Sequence, residues 1–281
     1  MMRRALYILA VMIALLIPAS SVSAAKTDTI IIDVTQDYKL SQEVLKKVNK
    51  ERKKRGLTAL KMDQTLTKHA ITRAAELCVM VSFDSPHKRP NGKLNSGTYG
   101  VSYECAMEHL NGSLSADDIV ENWMNSPAHR KGILLPEARS VGIACVRVGV
   151  NCNYTLEFSP RAVKKVQKLK TKKDYAIKVK ALRKYLPKKA FTIERFDYRG
   201  MDGLGSKSIV RMTTGYSVTT YVVSLKNFKW KSSDPSIVSV SKDGQITSKK
   251  PGTVTITATY KSNPKIKLKM SYKVNENFIT Q

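Results

Sequence analysis

Trp123-Met124-Asn125-Ser126-Pro127-Ala128-His129-Arg130 is the stretch that decides how this chain is read. Ile119, Val120, Trp123 and Met124 fall on one face of a helix. Ser115-Ala116-Asp117-Asp118 opens it in the manner of a capping box, with Asp118 in place of the usual glutamate. Pro127 is expected to stop the helix, since proline lacks an N–H and disfavours helix in the residue before it. His129 follows within two residues, at a helix–loop junction of the kind that carries binding groups. What His129 faces must be supplied by other parts of the chain.

Toward the N-terminus, Tyr103-Glu104-Cys105-Ala106-Met107-Glu108-His109 sets two glutamates four residues apart, on one face if the piece is helical. Before it, Pro86-His87-Lys88-Arg89-Pro90-Asn91-Gly92 holds a histidine on a stiff loop between two prolines. Asp63 is a good cap for a helix in which Leu66, Ala70, Arg73, Ala74 and Leu77 recur at three- and four-residue spacing. His69 lies in that helix and is expected to be structural or exposed rather than part of a site. Ser41 is expected to cap an earlier helix with Val44, Leu45 and Val48 on one face, lysines mostly on the other, and Gly56 past its end. Residues 25–39 form an N-terminal arm in which Thr29-Ile30-Ile31-Ile32-Asp33-Val34 is β-like.

Toward the C-terminus, Val141, Ile143 and Cys145 mark one buried strand, and Cys152, Tyr154, Leu156 and Phe158 a second. A tight turn at Val148-Gly149 would set Cys145 opposite Cys152. Four cysteines allow three pairings. This turn favours Cys145–Cys152, with Cys78–Cys105 as the second pair; the alternative is that some stay free. Residues 161–205 read as a basic linker, with thirteen Lys or Arg against Asp174 alone between residues 161 and 190. Within it Tyr175, Ile177 and Val179 alternate like a short strand, while Val179, Leu182 and Leu186 keep helical spacing. From residue 206 to 275 the signals are β. Ser217 to Val223 is rich in Val, Thr and Tyr, and Ser232-Ser233-Asp234-Pro235, Asp243-Gly244 and Pro251-Gly252 mark turns. Thr253 to Thr259 alternates with Val254, Ile256 and Ala258 inward, and the spacing predicts a small β-sandwich.

The 281 residues suffice for two domains, and a formal charge of +27 favours polyanions or anionic surfaces. Arg3-Arg4, the apolar run Ala5 to Ala19 and Val22-Ser23-Ala24 have the order of a secretory signal peptide over residues 1–24. Export removes nucleic acid as a partner and leaves anionic cell-envelope polymers, lipid head groups or surface glycans. No later stretch is long and apolar enough to span a membrane. Asn275 to Gln281 carries no sorting-type motif, so surface retention is expected to be non-covalent.

Residues 40–160 resemble the CAP (SCP-like) superfamily. The resemblance rests on Val48-Asn49-Lys50-Glu51-Arg52, Arg73-Ala74-Ala75-Glu76-Leu77, the Pro86-to-Gly92 loop, Tyr103-Glu104, Trp123 to Arg130 and Val141-Gly142-Ile143. Residues 206–275 resemble the bacterial immunoglobulin-like domain, group 2, through Trp230 to Val240, Asp243-Gly244 and Gly252 to Tyr260. The two resemblances imply an α+β chain: an α-β-α sandwich with a surface cleft, then an all-β immunoglobulin-like sandwich. The family's cleft typically carries two histidines and two glutamates, which in some members bind a divalent metal. His87, Glu104 and His129 match three of the four; Ser126 stands at the second glutamate, and Cys105 replaces the asparagine that commonly follows the first.

Two imidazoles and a carboxylate are a reasonable zinc set with an open fourth position. Such a centre could polarise water. Glu108 could stand in for the missing carboxylate if Glu104 to Glu108 is helical. Neither Gly-x-Ser-x-Gly nor His-Glu-x-x-His occurs in the sequence. The expected function is therefore a secreted or surface-associated binding protein, with the C-terminal domain as adhesion or spacer module. The competing reading is a metal-assisted hydrolase acting on peptide or envelope material. Lipid or sterol binding is implied by the family alone, and a lipid or peptide ligand stands beside the anionic polymers as a further expected partner.

Overall fold

Ile30, Ile32 and Val34 alternate with partly exposed residues, and that period of two makes β1 (Thr27–Asp37) a strand with one buried face. In the computed structural model the described residues are 26–79, 87–109, 112–149, 151–183, 192–196, 207–213 and 220–275. After β1 come α1 (Tyr38–Lys53), β2 (Lys61–Met62), α2 (Gln64–Leu77), β3 (Tyr103–His109), α3 (Ala116–Asn125), α4 (Pro127–Ile133), β4 (Ser140–Val148) and β5 (Asn151–Ser159). The chain continues through β6 (Lys172–Leu182), β7 (Thr192–Phe196), β8 (Lys207–Thr213) and β9 (Thr220–Val223). It ends in β10 (Phe228–Ser232), β11 (Val238–Val240), β12 (Ile246–Ser248), β13 (Gly252–Tyr260) and β14 (Lys267–Val274).

The first sheet runs β3-β5-β4-β1-β6, with β2 added in parallel to β4. On one face Val44 and Val48 of α1, Ile119, Val120 and Trp123 of α3, and Ile133 of α4 pack on Cys105, Ile143, Leu156 and Phe158. On the other, Ala70, Ile71, Ala74 and Ala75 of α2 pack on Ala144 and Val146. The small residues of α2 let it lie close: a Cβ on Gly142 would sit 2.3 Å from the carbonyl carbon of Leu66. Helix starts are set locally. Asp63 Oδ1 accepts the N–H groups of Thr65 and Leu66, and Ser115 and Asp118 form the expected capping box.

The C-terminal β unit builds on β10-β13-β14, with β11-β12 and β7-β8-β9 as separate small sheets. Asp243-Gly244 lies between β11 and β12, as the hairpin signal predicts, and Gly244 has φ 79°. Val254, Ile256 and Ala258 point inward as expected. This unit does not stand apart from the first sheet. Leu225, Phe228, Tyr260 and Leu268 share a core with Ile30, Ile32, Val34 and Val179. Asn227 clamps β1 at one residue: its Oδ1 accepts the Ile31 N–H at 2.8 Å and its Nδ2 donates to the Ile31 carbonyl at 2.7 Å.

Several expectations are corrected. Asp37, not Ser41, caps α1; Ser41 is buried inside the helix, bonded to Gln36 and to the Asp37 carbonyl. Residues 172–182, read as part of a basic linker, form a full strand, and β6 pairs with all eleven residues of β1. The alternation of Tyr175, Ile177 and Val179 is the period that holds, because those side chains meet the core. Tyr103–His109 is a strand rather than a helix, paired with β5 along its length. Pro127 ends α3 but also begins α4 at its first turn, where a missing N–H costs nothing, so His129 is helical rather than on a loop.

All four cysteines are free thiols. Val148 pairs with Asn151, so the turn falls one residue later than expected, and Cys145 faces Tyr154 while Cys152 faces Arg147. Cys145 and Cys152 are thus diagonal neighbours. Cys105 packs in the core under α3 and α4, whereas Cys78 packs with the α2 layer on the opposite face of the sheet. The signal peptide, Pro86, Leu186 and Ser217 to Thr219 lie outside the described residues.

Candidate functional site

The site begins with β3, because a strand's period of two turns Glu104 toward α2 and Cys105 away from it. Glu104 is 5% exposed and stands directly across from Glu157 of β5, which is fully buried. Two carboxylates side by side in a core need donors. Arg73, from the buried face of α2, places Nε 3.2 and 3.1 Å from the two Glu104 oxygens and Nη2 3.2 Å from Oε1. Asn95 reaches in from the loop and donates its Nδ2 to Glu104 Oε2 and, at 2.8 Å, to Glu157 Oε1. His69 Nδ1 meets Glu157 Oε2 at 2.6 Å. Glu76 continues the network, with Arg89 Nη2 2.6 Å from its Oε1.

The predicted trio sits at the rim of this network. His87 Nδ1 is 3.6 Å from Glu104 Oε1, an ion-pair distance rather than a hydrogen bond, and its side chain is 55% exposed. His129 is half-buried on α4 and its ring donates to the Ala106 carbonyl. Tyr103 ties the start of β3 to α4 by donating to the Ala128 carbonyl at 2.8 Å. Cys105 Sγ points to the His129 carbonyl at 3.4 Å. Ser126, at the position of the missing glutamate, lies between α3 and α4 and its side chain caps neither helix.

The electrostatics follow from these neighbours. The Glu104 contact raises the His87 pKa above its ordinary 6.5, outweighing partial burial. Burial lowers the pKa of His129, and the nearby His87 adds to that. Burial alone would raise Glu104, but His87 and the Arg73 guanidinium hold its carboxyl below the usual range. Glu157 is raised by burial, which outweighs the contacts from His69 and Asn95, and the neighbouring Glu104 adds to the rise. Glu108 is raised by burial too and shares the face of Glu104, because residues four apart in a strand also point one way.

The structure brings His87, Glu104 and His129 into one region, and it commits Glu104 inward. Both Glu104 oxygens are engaged by Arg73, and Asn95 adds a further donor. A divalent ion at Glu104 would have to share carboxylate oxygens with a guanidinium whose Nε lies 3.1–3.2 Å from them, in a poorly screened site. The trio as arranged therefore does not fit a three-ligand zinc set. Of the three, His87 is the one left largely exposed, while His129 is half-buried against β3. Asn95, Glu157 and the clamp of Arg73 escaped the sequence reading. A legible cue existed for one: Glu157 interrupts Tyr154-Thr155-Leu156-Phe158, a run that otherwise reads as buried strand.

The profile of the cysteine-rich secretory protein family (CAP) matches residues 45–158. These residues are a CAP domain. A second profile, the bacterial Ig-like domain (group 2), matches residues 211–270, so the Ig-like domain follows the CAP domain in this chain. The uncharacterised protein YkwD of Bacillus subtilis is 33% identical over 131 residues, 45% of this chain. The chain spans 50% of that relative's length. Among solved structures, an outer surface protein of Borrelia burgdorferi is 18% identical, with a TM-score of 0.32, 42% of this chain and 89% of that one covered. An extracellular protein of Bacillus anthracis containing an SCP domain is 21% identical, with a TM-score of 0.33 over 43% of this chain and 40% of its own. A CAP domain followed by a bacterial Ig-like domain is an extracellular type of architecture.

Proposed function

We propose that this is a secreted or cell-surface-associated binding protein, whose CAP domain presents His87 and His129 to a ligand and whose Ig-like domain holds it on an anionic envelope. The observation that carries the reading is the commitment of Glu104 to Arg73 and Asn95. A carboxylate so held rigidifies the floor of the site and leaves the imidazoles as donors or acceptors for a bound polar group. The shared core between the domains supports a fixed arrangement of the two rather than a flexible spacer.

The test is native mass spectrometry of the purified protein, with metal analysis of the wild type and of His87→Ala and His129→Ala. The binding reading expects an organic ligand whose retention depends on the two histidines. Stoichiometric zinc at neutral pH, lost in both variants, would replace it with the hydrolase reading. Retention on isolated envelopes is expected to fall in high salt, because exposed charge contacts are screened.

A further inference from the structure

The outer face of the β10-β13-β14 sheet is built in an unusual way. In β10 the residues pointing away from the core are Lys229 and Lys231. In β13 they are Thr253, Thr255, Thr257 and Thr259. In β14 they are Lys267, Lys269, Ser271 and Lys273. The register aligns them in rows. Lys229 pairs with Thr259, which pairs with Lys267; Lys231 pairs with Thr257, which pairs with Lys269. Two rows further, Thr253 pairs with Lys273. A ladder of threonines thus runs between two columns of lysines whose backbones lie about 9.5 Å apart across two strand spacings, with rows repeating about every 6.7 Å.

The five lysines are exposed. Among the described residues none of them is in an ion pair. Elsewhere among the described residues a few lysines are paired, though most exposed ones are not, so what sets this face apart is the ordered rows rather than the lack of ion pairs. On α1, Lys47 pairs with Asp117 at 2.6 Å and Lys54 with Glu51 at 2.6 Å. On β6, Lys172 lies 3.5 Å from Asp37. Between Thr220 and Asn275 the sequence has eleven lysines against Asp234 and Asp243, and neither aspartate is on this face. Five like charges with no ion-pair partner among the described residues repel one another, and an anionic partner relieves that repulsion.

We infer that this face is a docking surface for a linear, phosphate-bearing polymer of the cell envelope. The inference deepens the envelope-binding reading and rests on it. The trough is one strand wide, which suits a single extended chain. Lysines serve phosphate as point charges, whereas a geometry-specific carboxylate site would favour bidentate arginine. Threonine hydroxyls in the trough can donate to non-bridging oxygens. The rows carry no apolar side chain to insert among lipid tails, which sets a membrane surface second.

The test measures binding of the full purified protein to long-chain inorganic polyphosphate across a salt series. A variant with Lys→Gln at 229, 231, 267, 269 and 273 is compared with a charge-matched control changed at Lys39, Lys46, Lys53, Lys61 and Lys68, all exposed. The face variant is expected to lose about thirty-fold or more in affinity at low salt and to flatten the slope of log K against log salt by about three to four. The control is expected to change affinity by less than about three-fold, since its charges act only from a distance. Equal losses in both variants would overturn the assignment of this face while leaving envelope binding in place. Tighter binding to polyglutamate, or to vesicles of anionic phospholipid, than to polyphosphate would overturn the choice of partner. Failure of the wild type to bind any polyanion would overturn both this inference and the reading beneath it.

Discussion

Glu104 on β3 and Glu157 on β5 stand directly opposite one another in the sheet and share a single donor, the Nδ2 of Asn95. Two buried carboxylates on adjacent strands repel unless something bridges them. Here one amide nitrogen does so, while Arg73 holds the far side of Glu104 and His69 the far side of Glu157.

Asn95→Ala removes the bridge without adding charge. It is expected to cost about 3 kcal/mol, because both carboxylates lose a donor they cannot replace from water. Asn95→Asp should cost more at pH 7 and recover part of the loss as pH falls toward 5, since a third carboxylate can then be protonated. Urea denaturation at the two pH values measures both; an Asn95→Asp midpoint that falls on acidification would count against the bridge.

Arg73→Met leaves the Glu104 charge in the core with only the Asn95 amide and the solvent-exposed His87 beside it. The expected cost is about 3–5 kcal/mol. The double variant Arg73→Met, Glu104→Gln should recover more than half of it, because the stranded charge is gone. A double-mutant cycle by chemical denaturation reads the coupling.

His87 and His129 should titrate on opposite sides of 6.5, with His87 above and His129 below. A raised histidine contributes stability that is fully present below 6.5 and is lost as pH rises through its folded value. A lowered carboxyl such as Glu104 contributes stability that is present above 4.5 and is lost as pH falls through its folded value. Their contact therefore supports the fold most between 4.5 and 6.5, and by well under about 1 kcal/mol because His87 is largely solvated. Histidine NMR titration checks the order, and Glu104→Gln should bring His87 back toward 6.5.

Asn227→Ala removes both bonds to Ile31 and should destabilise the joined domains by about 2 kcal/mol. Asn227→Asp should be worse, since a carboxylate cannot donate to the Ile31 carbonyl. Hydrogen exchange at the Ile31 amide is the local readout: it should accelerate in both variants, and unchanged protection would argue against the clamp.

Alkylation followed by mass spectrometry should find four free thiols after denaturation. In the native protein Cys145 should react slowly, because burial pushes its pKa up to about 12. A peptide linking Cys78 to Cys105 would contradict their placement on opposite faces of the sheet.

Much of the fold was legible in short stretches. Asp63 and Ser115 announced helices, Asp243-Gly244 a hairpin, and Thr253 to Thr259 a strand, because caps, turns and face periodicity are decided within about ten residues. His87 and His129 were named from the sequence, and the structure places them in one region with Glu104. Tyr103–His109 was not, since residues four apart share a face in a helix and in a strand alike. Nor was β6, whose lysine-rich sequence becomes a strand because β1, far away in the chain, offers eleven residues to pair with.

Local sequence was enough for the two-domain order and for the elements announced by Asp63, Ser115, Asp243-Gly244 and Thr253 to Thr259. The role of Glu104 is set by long-range packing. Its partners Arg73, Asn95 and Glu157 come from a helix, a loop and a neighbouring strand, and a buried charge takes its character from whatever folding places against it. The register that separates Cys145 from Cys152, and the clamp of Asn227 on Ile31, are likewise long-range pairings that no local period encodes.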